Sequence, residues 1–227
     1  PRIILDQQDP HGGTISPPRA RRQRSGWCQV QHRSATHHNT EDAVKIVFRL
    51  LLVTATLLIL PGGYLASLRM TGNFHPVVEG VAYRSAQPFG DDLATWTRQT
   101  GIRSVINLRG AHEGTPWYDD EVAMAANLGL QHYDFAMSAS KQMDRARAAE
   151  LLALLREAPK PVLIHCMAGA DRTGLASALM LADLGHGEDA AEGHISFRYG
   201  HISIPYTAAW PMDQSWEALE GWFGFMS

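Results

Sequence analysis

Residues 50–68, Leu-Leu-Leu-Val-Thr-Ala-Thr-Leu-Leu-Ile-Leu-Pro-Gly-Gly-Tyr-Leu-Ala-Ser-Leu, carry no charge, and this run constrains the chain more than any other feature. A bilayer core of about 30 Å needs about 20 mostly apolar residues. Ile46–Leu68 reaches that length with only Arg49 inside, near enough to one end to snorkel. A core helix would show a polar face, and this run shows none. Pro61-Gly62-Gly63 is expected to kink or end a helix, which leaves a shorter stretch like the apolar region of a signal peptide. Ala66-Ser67-Leu68 is a weak cleavage context, so an uncleaved signal anchor over residues 43–68 is preferred to a cleaved peptide. Positive charge precedes the run, which puts everything after Arg69 on the non-cytoplasmic side, the periplasm in a bacterium.

The run divides the 227 residues into zones of different charge. Residues 1–49 hold eight Lys/Arg against four Asp/Glu, and residues 69–227 hold twelve against nineteen, so the formal −3 describes neither zone. Residues 1–42, with Pro17-Pro18 and the cluster Arg19, Arg21, Arg22 and Arg24, show no sustained apolar period and read as a disordered, solvated basic tail. No nucleic-acid partner is expected. His37-His38 has no third ligand nearby, and the two cysteines, Cys28 and Cys166, make neither a disulfide framework nor a zinc-finger spacing. No metal or other cofactor is expected.

From Gly72 onward short β-rich runs alternate with helical patterns. Val81–Arg84, Ser104–Leu108, Leu130–Phe135 and Val162–His165 read as strands. Asp91–Thr100, Trp117–Asn127, Met143–Glu157 and Arg172 to about Leu184 read as helices between or after them. Strands separated by helices predict an α/β domain, residues 73–227, with a central, mostly parallel sheet flanked by helices. Trp210, Trp216 and Trp222 fall six apart, but Pro211 is expected to break any helix joining them, so they read as core cover.

Ligands of such sheets gather where strands run into helices. The segment there is His165-Cys166-Met167-Ala168-Gly169-Ala170-Asp171-Arg172-Thr173-Gly174. A short strand-to-helix loop can turn successive N–H groups inward beside the positive end of a helix, an anion nest sized for phosphate. That setting favours a thiolate nucleophile at Cys166. Gly169 allows a tight backbone path, Arg172 offers a planar fork for two phosphate oxygens, and Thr173 offers a hydroxyl to the thiolate. The loop amides of Met167, Ala168, Gly169 and Ala170 complete the expected substrate site.

His165-Cys166, five residues, then Arg172-Thr173-Gly174 resembles the signature loop of the cysteine-dependent protein tyrosine and dual-specificity phosphatases. Tyr83-Arg84-Ser85-Ala86-Gln87-Pro88 and Ile106-Asn107-Leu108-Arg109-Gly110 are similar to the bacterial branch related to the plant and fungal atypical enzymes. The resemblance covers about Asn73 to His201. It implies one α/β phosphatase domain with the Cys-x5-Arg loop between its last strand and a helix, a phosphocysteine intermediate and no metal. The substrate is then a phosphorylated protein or another phosphomonoester. Met167, Ala168 and Ala170 carry no cation, unlike the lysine-bearing loops associated with highly phosphorylated inositides, so a protein side chain is preferred. Inositol phosphates, and a catalytically silent phosphate-binding module, stand as alternatives.

Ester cleavage needs a general acid, and two aspartates compete. Asp134 lies 32 residues before Cys166 at the end of a predicted strand, a separation similar to that of dual-specificity phosphatases. Asp171 lies inside the loop and resembles the Asp-Arg-Thr ending of lipid-phosphatase loops, with a loop-shaping hydrogen bond or salt bridge as its alternative role. Asp134 ranks first. Arg109 is placed at the substrate pocket or in a salt bridge with Asp134, Arg84 at the pocket or between loops, and Arg198 at a helix end.

Overall fold

In a computed structural model the described residues are 31–225, with side chains described from residue 40. The basic cluster and Cys28 lie outside the described residues, as do the side chains of His37 and His38.

The apolar run belongs to helix α1, Gln31–Met70. Its beginning takes residues 31–42 out of the expected tail, and its end corrects the expectation at Pro61, through which the helix continues. Proline costs a helix one N–H donor and crowds the preceding turn. The turns beyond it are offset by packing: Leu68 is buried, and Tyr64 Oη donates to the Arg198 carbonyl at 2.5 Å. Thr40–Met70 is long and apolar enough to cross a membrane, with a mean hydropathy of 2.3 in its most apolar window. The chain divides into two compact units, Pro1–Leu57 and Leu58–Ser227. The last turns of α1 therefore belong with the α/β unit.

Five strands of four residues form that unit's sheet: β1 His75–Val78, β2 Ala82–Ser85, β3 Ser104–Asn107, β4 Gln131–Asp134 and β5 Val162–His165, in the order β1-β2-β5-β3-β4. β1 is antiparallel to β2 and every other pairing is parallel. The mostly parallel α/β architecture read from the sequence is the one observed. β1 went unread because Pro76 interrupts it, and proline fits a strand only where its missing N–H faces outward, as at this sheet edge.

The central strands β2, β3 and β5 are buried on both faces, and their side chains alternate between two cores. Ala82, Ile106 and Ile164 face a core shared with helices α4 Arg145–Glu157, α5 Asp171–Asp183 and α7 Trp210–Glu220. Tyr83, Val105 and Leu163 face a smaller core with helices α2 Asp92–Thr100 and α3 Pro116–Asn127. A short helix, α6 Glu188–Glu192, and a 3-10 turn, Phe197–Tyr199, connect α5 to α7. Trp210 and Trp216 do share α7: Pro211 sits in its first turn, where a helix needs no donor, so it does not break it. Trp216 is buried in the larger core.

Register places the functional residues. Ser85, His165, Asn107 and Asp134, the last residues of the four parallel strands, are paired in one row across the sheet. Everything that leaves those ends emerges along one edge.

The docking of α1 on the α/β unit gives a stability prediction. Removing residues 62–71 exposes the surface that Leu68 covers and deletes the Tyr64 hydrogen bond, a loss of about 2–4 kcal/mol. A chain starting at Gly72 should melt roughly 5–10 °C below one starting at Gly62. Equal melting temperatures by calorimetry would mean that these turns contribute nothing.

Candidate active site

Cys166 follows β5 and is 2% exposed. The loop after it is held from outside by its carbonyls. The Gln87 N–H donates to Met167 O at 3.3 Å, Asn73 Nδ2 to Ala168 O at 3.0 Å, and Arg84 Nη2 to Gly169 O at 2.7 Å and Ala170 O at 3.4 Å. Four consecutive carbonyls are thus engaged on the outer side. In a tight turn the amides between them then face the concave side, toward the first turn of α5. Gly169, at φ +68°, is required twice over: the conformation is left-handed, and a Cβ would lie 2.6 Å from backbone atoms of Ser85 and Ala86.

Three arginines serve this loop differently. Arg84 is fully buried, bonds His194 O at 2.8 Å as well as the loop, and lies 3.8 Å from the Tyr199 ring centroid. Burial lowers its pKa to about 10, so it stays charged at neutral pH. Burial and Arg84 push the pKa of His194 down to about 3, and its neutral Nδ1 accepts from Arg84 Nη1 at 2.9 Å. Arg172 begins α5 beside Asp171, and its Nη1 reaches Leu108 O and Met137 O only at 3.4 Å. Its buried Nε has no partner among the described residues. Arg109 donates to Gln87 Oε1 at 2.8 Å and lies 3.3 Å from the Trp117 ring centroid. Its pKa is lowered by burial and then by the charge of Arg172, while Cys166 acts in the opposite sense. Arg198 is exposed beside Tyr199 and contributes its carbonyl to Tyr64.

Behind the loop lies a carboxylate that the sequence reading missed. Glu121, on the buried side of α3, contacts His165 Nε2 at 3.0 Å and His132 Nε2 at 2.7 Å through Oε1, and accepts from Gln87 Nε2 through Oε2. Burial alone would raise its pKa, but the two histidines outweigh it and hold it at about 2. One signal was available: Tyr118, Glu121 and Ala125 share a helical face, and a charge among apolar neighbours on such a face marks a partner.

The two aspartates occupy different settings. Asp134 accepts from Asn107 Nδ2 at 2.8 Å and from Tyr118 Oη at 2.6 Å, and no ion pair joins it to Arg109 among the described residues. The hydrogen bond to Asp134, then burial, raises the Tyr118 pKa to about 12. Asp171 Oδ1 lies 2.7 Å from Nδ1 of the buried His201. The Thr173 hydroxyl is buried without a partner among the described residues, so the expected bond to the Cys166 sulfur is not formed in this arrangement. The structure thus gathers the Cys166–Thr173 loop and Arg109 on one sheet edge, with Asp134 ending a strand on the same row.

A family model described as the tyrosine phosphatase family matches residues 63–192. The chain belongs to that family. Its start at residue 63 agrees with the last turns of α1 being part of the α/β unit. No curated protein sequence matches the chain. Among solved structures, the core catalytic domain of the PP-IP phosphatase SIW14 from S. cerevisiae, in complex with citrate, is 21% identical, with a TM-score of 0.51, over 63% of this chain and 85% of that one. TpbA of P. aeruginosa is 21% identical, with a TM-score of 0.49, over 67% of this chain and 91% of that one. PTPMT1 in complex with PI(5)P is 13% identical, with a TM-score of 0.48, over 65% and 97%. The protein is a phosphatase of the tyrosine phosphatase type by family, and its fold is shared with the yeast catalytic core.

The tight seat of Gly169 predicts a strong effect of one methyl group. Gly169→Ala should weaken inorganic phosphate binding by roughly 5- to 150-fold, from about 1–3 kcal/mol of backbone strain. Unchanged affinity by titration calorimetry would show that the loop is not built as described.

Proposed function

We propose that the chain is a cysteine-dependent phosphomonoesterase held at a membrane by α1. The observation that carries this reading is the Cys166–Arg172 loop, with four carbonyls tied outward and Arg172 unpaired with any carboxylate among the described residues. A dianionic phosphoryl group placed there meets the amides of Met167, Ala168, Gly169 and Ala170 and the Arg172 fork, with Arg109 at its rim. The Cys166 sulfur attacks phosphorus, an S–P bond forms, and the P–O bond to the leaving group breaks as that oxygen takes a proton. Water, giving a proton to the group that protonated the leaving oxygen, then attacks the phosphocysteine, the S–P bond breaks, and inorganic phosphate leaves with the thiolate and the acid restored.

Asp134 is the first candidate for the proton donor. It ends β4 on the row of strand ends that carries Cys166 and is bonded by an amide and a phenol, whereas one oxygen of Asp171 is engaged by the buried His201 ring. A phosphorylated protein side chain, tyrosine or serine/threonine, is the preferred substrate, because Met167, Ala168 and Ala170 add no cation for a polyphosphorylated ring. The anchor direction read from the charges puts the catalytic unit on the non-cytoplasmic side of the membrane.

Cys166→Ser should abolish turnover of p-nitrophenyl phosphate and phosphopeptides while phosphate binding persists. Asp134→Asn should cost about 10²–10⁴-fold on phosphoserine peptides, whose leaving group is poor, and far less on p-nitrophenyl phosphate. Equal losses on both would remove Asp134 as the acid, and a wild-type chain silent on every phosphoester would favour a phosphate-binding module.

A further inference from the structure

His201 follows the 3-10 turn Phe197–Tyr199 and is fully buried between two carboxylates. Nδ1 lies 2.7 Å from Asp171 Oδ1 on α5, and Nε2 lies 2.9 Å from Asp213 Oδ2 on α7. An ionised carboxylate only accepts, so both contacts are hydrogen bonds only if both ring nitrogens carry protons. A neutral ring would leave one nitrogen lone pair facing an oxygen lone pair inside the protein, a buried repulsion. The side chains of Asp171 and Asp213 are 29% and 12% exposed, so solvent weakens both contacts only partly.

We propose that His201, braced by Asp213, is the positioning residue of the phosphate loop: as a doubly protonated ring it fixes Asp171, and through Asp171 the arginine-bearing end of the loop. This rests on the reading of that loop as the phosphate site. Asp171 stands one residue before Arg172, and both begin α5, where the loop ends. The clamp joins the start of α5 to the first turn of α7, a helix that contributes no other residue to the site. Asp171 is then a buttress for the anion cradle, and Asp134 has the proton-transfer role to itself.

The sign of the pH dependence follows. Desolvation opposes the ring's charge, but the hydrogen bonds and charges of Asp171 and Asp213 outweigh it and raise the His201 pKa above its usual 6.5. These two carboxylates, one from α5 and one from α7, are the charged groups acting on the ring among the described residues. The clamp is complete below the usual histidine range and is lost as pH rises through the raised value. Loop order and anion affinity fall with it. By linkage, an anion in the loop must raise the pKa of the ring by the same coupling.

The test uses the full chain in nanodiscs with Cys166→Ser, so that the thiol contributes no step, and sulfate as probe because it stays dianionic throughout. Sulfate affinity is measured by calorimetry from pH 5.5 to 9, and the His201 ring is followed by nuclear magnetic resonance, assigned from His201→Gln. The expected result is a fall in affinity of about fivefold or more on the alkaline side. Its inflection should coincide with the ring's titration and move to higher pH when sulfate is present. His201→Gln should abolish the step. Should that variant fail to fold, Asp213→Asn serves instead: it removes one stabilising carboxylate and should move both inflections to lower pH. A ring that is neutral at pH 6.5, or sulfate affinity that stays flat through the ring's titration, would overturn the clamp while leaving the phosphate loop intact. No sulfate binding at any pH would overturn the loop reading, and the clamp with it.

Discussion

The candidate site depends on a buried guanidinium whose hydrogen-bond partners are protein groups. Arg84 is removed from water entirely, a placement that costs several kcal/mol unless acceptors offset it, and its Nε has no partner among the described residues. Its terminal nitrogens find Gly169 O, Ala170 O, His194 O and the neutral His194 ring, and its face lies on Tyr199. The acceptors it gathers are the carbonyls that must point away if the loop amides are to face an anion. One interaction therefore offsets the burial of a charge and shapes the cradle. Asn73 and the Gln87 N–H extend the same logic to the preceding carbonyls. Asn73 stands at φ 48°, just past the end of α1, so the helix that leaves the apolar run is bonded into the back of the cradle.

A second polar chain runs beneath the mouth. Arg109, Gln87, Glu121 and His165 are joined in sequence by hydrogen bonds, ending at the residue before Cys166. With Glu121 held ionised at about 2, this chain keeps its charge through the physiological range. The two networks meet where Gln87 touches both: its backbone holds Met167 O, and its side chain links Arg109 to Glu121. This gives physical content to the Tyr83–Pro88 motif, in which Arg84 and Gln87 hold the carbonyls of the loop.

Much of the fold was legible because its signals are local. Val105-Ile106 of β3 and Val162-Leu163-Ile164 of β5 are short apolar runs, Gly101 ends α2 and Pro161 precedes β5, and Asp144 caps α4 by accepting from the Arg147 N–H at 2.8 Å. The loop was legible because its residue types make sense together only around an anion. What was not legible depends on long-range contact. Pro61 forecasts a broken helix unless Leu68 and Tyr64 are seen to dock. Pro211 forecasts a break unless α7 is known to start at Trp210. Asp171 is legible as a proton donor or as a loop-shaping carboxylate, but its partner His201, 30 residues on, is brought to it only by the fold. Asn73 and Glu121 gave no sign in their own neighbourhoods of the carbonyls and imidazoles they serve, although Glu121 stood out on its helical face.

The central claim is that this cradle exists to present phosphorus to Cys166. The most direct measurement is an acid-quenched reaction of the full chain with p-nitrophenyl phosphate, read by peptide mass spectrometry. The account predicts one added phosphoryl group on the peptide containing Cys166, absent in Cys166→Ser and accumulating when hydrolysis of the intermediate is slowed at low temperature. Turnover of substrate with no phosphoryl group ever found on that cysteine, or with activity surviving in Cys166→Ser, would contradict it.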